Sequence, residues 1–222
     1  MRILTILLLS FSLVACGQQS KKYVIKPEAK VLADSAYKFV VPKPGESVNF
    51  QAAVNLLKQA TEIDSNYILG FRNLLTYQQV LKDNRGALQT AKRMNELMPQ
   101  NPEFNSTLGI MYEFNEDTIS SKQYFQKALN IYSKLLDTLS DQNATLQVKS
   151  AKALNLLFLN RYHEGQQILK ELLNNTKDPI DNEGLNMYLN KSGREIILMF
   201  LTGEENKTVS PTQQPCLVLD LL

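Results

Sequence analysis

Small residues return along this chain at a constant interval. Ala53, Ala87 and Ser121 are successive steps of 34 residues, and Leu57, Ala91 and Phe125 ride the same frame four positions later. Leu74 and Leu108 form another pair at that step. A period of this size constrains the fold more than composition does, because a repeat of this length is one supersecondary unit that buries its apolar face only against its neighbours. Within a copy the apolar spacing is helical: Ala53, Leu56, Leu57, Ala60 and Ile63 line one face, with Lys58, Gln59 and Glu62 on the other. Phe71, Leu74 and Leu75 form the next such face, Tyr124, Phe125, Ala128, Leu129, Tyr132, Leu135 and Leu136 another, and Ile168, Leu169, Leu172 and Leu173 a later one. Turn chemistry separates these runs at Val41-Pro42-Lys43-Pro44-Gly45, Asp83-Asn84-Arg85-Gly86, Pro99-Gln100-Asn101-Pro102, Asp117 and Asp178-Pro179.

The stretch Leu108-Gly109-Ile110-Met111-Tyr112, followed by Ser121, Phe125 and Ala128, resembles the tetratricopeptide repeat, and Pro99 falls where a repeat-closing proline belongs. Ile63-Asp64-Ser65-Asn66-Tyr67 is similar to the Asp-Pro-Asn-Tyr ending of that family, with serine for proline. A fourth, weaker copy places Ala153 at the Gly109 position, Tyr162 after a turn at Asn160, Gly165 in the small slot and Leu169 in the Leu57 slot. The resemblance covers residues 27–174, most specifically 53–136. It implies an all-α, right-handed solenoid of about four helix-turn-helix repeats, an architecture that binds other proteins and does no bond chemistry. Repeat three lacks its closing proline at Ser133, so its second helix is expected to run on through Leu139.

Residues 185–201 read as one final helix, strongly apolar from Ile196 to Leu201 and stopped by Gly203, that caps the stack. The solenoid is thus assigned to residues 27–203, and the polar, proline-bearing stretch after it, with the terminal run from Cys216, to a flexible tail over 204–222.

The amino terminus carries a second signal. Met1-Arg2 is positively charged, and residues 3–14 form an apolar run too short to span a bilayer, which describes an export signal over residues 1–15. Leu13-Val14-Ala15-Cys16 resembles the bacterial lipobox at all four positions. That resemblance implies cleavage before Cys16, acylation of its sulfur and a short tether over residues 16–26. Gly17, in place of an aspartate, implies the outer membrane by analogy. Lipidation consumes Cys16 and leaves Cys216 without an internal disulfide partner. The mature chain would have 207 of the 222 residues, enough for one elongated domain, and a formal net charge of +2 gives no bias toward nucleic acid.

Enzymatic readings are weak. His163 is the only histidine, and a zinc site needs more ligands of its kind. Glu113, Glu116 and Asp117 flank an inter-helix turn, where solvated acids are common, and lack calcium-loop spacing. No catalytic residue, metal or cofactor is expected. The family geometry instead implies a concave groove lined by the first helix of each hairpin. It would carry Leu69, Arg72, Asn73, Thr76 and Gln79 from repeat two, Glu103, Ser106, Ile110 and Glu113 from repeat three, and Gln147, Ser150, Leu154 and Leu157 from repeat four. The expected function is a membrane-anchored adaptor or scaffold in the bacterial cell envelope that holds a protein or peptide in this groove. The alternative is a substrate-capture lipoprotein that binds a peptide or glycan for a transporter.

Overall fold

The computed structural model describes residues 23–175 and 179–202. They form an all-α stack of helical hairpins, with no strand among the described residues: α1 (Pro27–Val40), α2 (Phe50–Ile63), α3 (Ile68–Val80), α4 (Asn84–Leu97), α5 (Pro102–Phe114), α6 (Thr118–Leu136), α7 (Gln142–Phe158), α8 (Tyr162–Asn175), α9 (Pro179–Leu189) and α10 (Gly193–Thr202). From α1 to α9 each helix packs against the next, so α1/α2, α3/α4, α5/α6 and α7/α8 are the four expected hairpins.

The helices start where side-chain oxygens satisfy the backbone donors of a first turn. Asn49, Asp83 and Asp117, again 34 residues apart, accept from the N–H groups of Ala52, Gly86 and Ser120 at 3.0, 2.9 and 3.0 Å. Asn101 and Asp141 do the same for α5 and α7 through Phe104 and Ala144, at 3.0 and 2.7 Å. Each such cap contributes about 1 kcal/mol. The corresponding position of α8 holds Arg161, which cannot accept; it makes two bonds, of 2.7 and 2.6 Å, to the Glu164 carboxylate instead.

Within the second, third and fourth hairpins the reversal is the same turn three times. Lys82, Glu116 and Asn160 adopt φ of 58°, 63° and 60°. The next residue's N–H then reaches back to a carbonyl five residues earlier: Asp83 to Gln78 at 2.9 Å, Asp117 to Tyr112 at 3.0 Å, Arg161 to Leu156 at 2.8 Å. These bonds satisfy carbonyls left open at the helix ends.

The periodic positions are the packing positions. Ala53, Ala87, Ser121 and Gly165 are buried, as are Leu57, Ala91, Phe125 and Leu169. Gly109 shows why its slot is small: a Cβ there would stand 2.6 Å from the Phe125 ring, so α5 and α6 meet at backbone-to-ring contact. The core has two parts that share α3. Tyr67 and Leu74 join α1 and α2, whose contact surface is Ala29, Ala33, Ala36, Ala53 and Leu57. Phe71 and Leu75 turn toward the larger cluster, which runs from α4 to α10.

Several boundaries differ from the sequence expectation. The final helix is two, broken at residues 190–192, because Ser192 and Glu195 form a reciprocal capping box: the Ser192 N–H donates to Glu195 Oε2 at 2.7 Å and the Glu195 N–H to Ser192 Oγ at 3.2 Å. The capping helix is therefore α10. It rests on α7, with Ile196 and Ile197 buried and Gly193 so close that a Cβ would collide with the Leu157 carbonyl. The second helix of repeat three does not continue through Leu139; it stops at Leu136, where the N–H groups of Thr138 and Leu139 both turn back to the Leu135 carbonyl. Asn84, Arg85 and Gly86 form the first turn of α4 rather than a loop. The expected export signal, Cys16 and the tail over 204–222 lie outside the described residues.

Nor is the expected tether free up to Lys26. The Lys26 N–H donates to Asp64 Oδ2 at 2.9 Å and its ammonium donates to the Ile63 carbonyl at 2.7 Å. Asp64, buried in the α2–α3 turn, clamps the chain at Lys26.

Candidate functional site

The expected groove residues fall into three groups. On α3, Leu69 is exposed and Arg72, Asn73, Thr76 and Gln79 are half-buried. On α7, Gln147 is exposed and Ser150 and Leu154 are half-buried, with the Ser150 hydroxyl turned back to the Leu146 carbonyl at 3.0 Å. Apart from Arg72, whose guanidinium turns inward toward Glu103, these positions keep solvent-accessible surface. The residues between them do not. Glu103, Ser106 and Ile110 are 5%, 4% and 5% exposed, and every residue of α5 from Pro102 to Met111 is buried. Leu157 of α7 is buried as well. The groove is closed along α5, and of its repeat-three residues only Glu113, half-buried in the last turn, retains a surface.

The closure has a polar explanation. A helix buried on all sides must meet the demands of its polar side chains internally, and α5 does so in part with the helices around it, although Asn105 Oδ1 accepts no hydrogen bond. The Ser106 hydroxyl lies 3.0 Å from Asn155 Oδ1 on α7 and 3.0 Å from the Pro102 carbonyl in its own helix. Asn105 donates to the carbonyls of Pro99 and Asn101 at 3.1 and 2.6 Å. The Arg72 guanidinium of α3 stands 3.9 Å from the Glu103 carboxylate. Tyr132 of α6 completes the cluster. Burial pushes its hydroxyl pKa well above the ordinary tyrosine value and the Glu103 charge adds to this, while its hydrogen bond with Ser106 acts the other way. Arg72, Glu103, Ser106, Tyr132 and Asn155 thus tie α3, α5, α6 and α7 together. Of these, Tyr132 was expected in the apolar face of α6, and Asn155 had no sequence signal.

The hairpin tips carry a different surface. Tyr112 and Tyr124 stack with centroids 5.4 Å apart, flanked by the ammonium groups of Lys92 and Lys127 at 5.2 and 5.8 Å from the rings. Asn115 of the third tip donates to the Asn84 carbonyl of the second at 3.2 Å, which locks the two turns side by side. Exposed apolar side chains mark four successive tips: Val41 and Val48, Val80 and Leu81, Ile119, and Tyr162. Of the acids considered as a cation site, Asp117 caps α6, its carboxyl held below the usual range first by the backbone N–H and then by the hydroxyl of Ser120, while Glu116 occupies the left-handed turn position. His163 is exposed at the start of α8. An open hollow of about 350 Å³ lies among α6, α7 and α8, lined by Gln126, Asn130, Lys152, Arg161, Glu164 and Gln167 with Leu129 and Ile168.

No protein-family model matches the chain, and no curated protein matches it. Among solved structures it is similar to the crystal structure of MamA, at 13% identity and a TM-score of 0.45, over 72% of this chain and 81% of that one.

Proposed function

We propose that this chain is a protein-interaction scaffold of the bacterial cell envelope, held on a membrane, in the first instance the outer membrane, by lipid on Cys16. The observation that carries the interaction reading is the stacked-hairpin fold itself. It spreads side chains over an extended surface, with Leu69, Asn73, Thr76 and Gln79 on α3 and Gln147, Ser150 and Leu154 on α7, to either side of the sealed α5. Such a mixture of apolar anchors and polar contacts suits a folded protein or a peptide better than a small molecule. The lipobox-like Leu13-Val14-Ala15-Cys16 supports the anchor. Two or more acyl chains hold a protein on a bilayer far more firmly than one does.

The test is affinity capture from envelope membranes with the intact chain and with a Leu69→Glu, Thr76→Glu variant whose melting curve is unchanged. A partner kept by the parent and lost by the variant supports the surface; equal recovery eliminates it. Cys16→Ser should move the protein to the soluble fraction. If it stays with the membrane, the lipid anchor is wrong.

A further inference from the structure

One position of the repeat is filled differently in each of three hairpins. Gln78, Tyr112 and Leu156 are the residues whose carbonyls receive the turn bond, and Thr90, Tyr124 and Ile168 stand opposite them on the second helix, at steps of 34 and then 44 residues. In the second hairpin the pair closes by a hydrogen bond, Thr90 Oγ1 donating to Gln78 Oε1 at 2.7 Å, and in the third by two rings stacked at 5.4 Å. Leu156 and Ile168 have neither a polar tip nor a ring, and in the fourth the space becomes the hollow of about 350 Å³ among α6, α7 and α8. Lys152 breaks the repeat at the same place. It stands at the steps of Leu74 and Leu108, which are 4% and 1% exposed, yet it is half-buried and lines the hollow. A slot that buries leucine twice here carries a charge. Arg161 on the rim is held by its two bonds to Glu164, and no carboxylate pairs with the Lys152 ammonium among the described residues. Two cations thus share one carboxylate.

The geometry points to this hollow as a docking pocket for one aromatic side chain of a partner protein, carried in an acidic segment. It rests on the protein-interaction reading above but uses a surface apart from Leu69 and Thr76. The chain supplies the template: tyrosine rings occupy the matching space one hairpin earlier, with the Lys92 ammonium 5.2 Å from Tyr112 and the Lys127 ammonium 5.8 Å from Tyr124. A ring entering the hollow rests on Leu129, Leu156 and Ile168 and meets Gln126 and the two cations at its edge. Burying it removes about 150–250 Å² from water. An apolar floor under a few convergent polar groups is the make-up of an anchor pocket. The Lys152 charge, without a carboxylate of its own, favours acids beside the ring and steers their approach. Leucine at this position would bury more apolar surface, so the lysine is held there at a cost to the fold.

The chain has no tryptophan, so emission from a tryptophan-bearing peptide reports the peptide's surroundings alone. The full-length chain is titrated with acetyl-Gly-Glu-Trp-Glu-Gly-amide and, separately, with the same peptide carrying glutamine for glutamate. A saturable blue shift is expected with the first, and binding at least about tenfold weaker with the second. Lys152→Leu should raise the melting temperature, since it restores the residue of the Leu74 and Leu108 slot, and should weaken the acidic peptide by at least about tenfold. Ile168→Tyr rebuilds one ring of the earlier pair and should block the peptide with an unchanged far-ultraviolet circular dichroism spectrum. The Leu69→Glu, Thr76→Glu variant should bind it as the parent does. No saturable shift, equal binding by parent and Lys152→Leu, binding retained by a folded Ile168→Tyr, or a melting temperature lowered by Lys152→Leu overturns the pocket. Loss of the peptide in Leu69→Glu, Thr76→Glu puts it on the α3 surface, which overturns the pocket and leaves the scaffold reading standing. That reading falls separately, by equal partner recovery in the capture experiment.

Discussion

Ser106 on α5 and Asn155 on α7 meet across 49 residues of sequence, hydroxyl to amide oxygen at 3.0 Å, with both side chains buried. The contact joins the first helices of the third and fourth hairpins at the level where the expected groove is closed. Removing one partner leaves the other buried and under-bonded, which costs about 1–3 kcal/mol. Ser106→Ala should therefore lower the denaturant midpoint, Asn155→Ala likewise, and the double variant should cost less than the sum. Strict additivity in that cycle would deny the coupling.

Gly109 and Phe125 set the distance between α5 and α6. The ring stands where a Cβ would go, so Gly109→Leu should cost about 1–3 kcal/mol by overpacking and broaden the thermal transition. Phe125→Leu in that background should recover part of the loss. A melting curve unchanged by Gly109→Leu would contradict the close crossing.

Glu116 is the reverse case, a side chain where the backbone favours none. Its φ of 63° is a left-handed conformation that disfavours a Cβ by roughly 1–2 kcal/mol. Glu116→Gly should raise stability by up to about 1 kcal/mol after the entropy of glycine in the unfolded chain is offset. Lys82→Gly should behave similarly and Asn160→Gly less, since asparagine tolerates this region. Lower melting temperatures for both glycine variants would refute the turn assignment.

Much of this was legible in the sequence, and the failures have physical causes. The positions at 34-residue steps, Ala53, Ala87 and Ser121, are buried because each must fit under a neighbouring helix, so packing wrote itself into the spacing. The same step recurs in the capping residues Asn49, Asp83 and Asp117. The expected groove fails at α5 because Glu103 and Ser106 look like a wet helical face. Their burial depends on partners such as Asn155 and Tyr132 that no local pattern links to them. The break in the last helix was signalled by Ser192 and Glu195, but the apolar run after Ile196 hid it. Asp64 stood in a recognisable turn motif, yet its grip on Lys26 belongs to the tertiary structure alone.

The clamp also predicts a pH dependence at both extremes. Burial alone would raise the Asp64 pKa, but hydrogen bonds from the Tyr23 hydroxyl and the Lys26 and Asn66 N–H groups outweigh it and hold it below the ordinary 3.8. A depressed carboxyl contributes stability that is present above its unfolded value and lost as pH falls through the folded one. Tyr23 is shifted the other way, to about 12, by loss of hydration and then by the Asp64 carboxylate. Its contribution is complete below pH 10.0 and disappears as pH rises toward about 12. Urea midpoints of the parent should fall at both ends relative to Asp64→Asn; parallel profiles would show that the clamp carries no protonation linkage.

The division of the core at α3 has a mechanical meaning. A pull on the amino-terminal segment would enter at Lys26 and load α1 and α2, whose alanine-rich contact is the smaller of the two clusters. The pair can yield as its own cooperative unit while Phe71 and Leu75 keep the other side of α3 seated in the larger cluster. Were the amino terminus held on a membrane as proposed, the first hairpin would give way before the hairpins that hold α5.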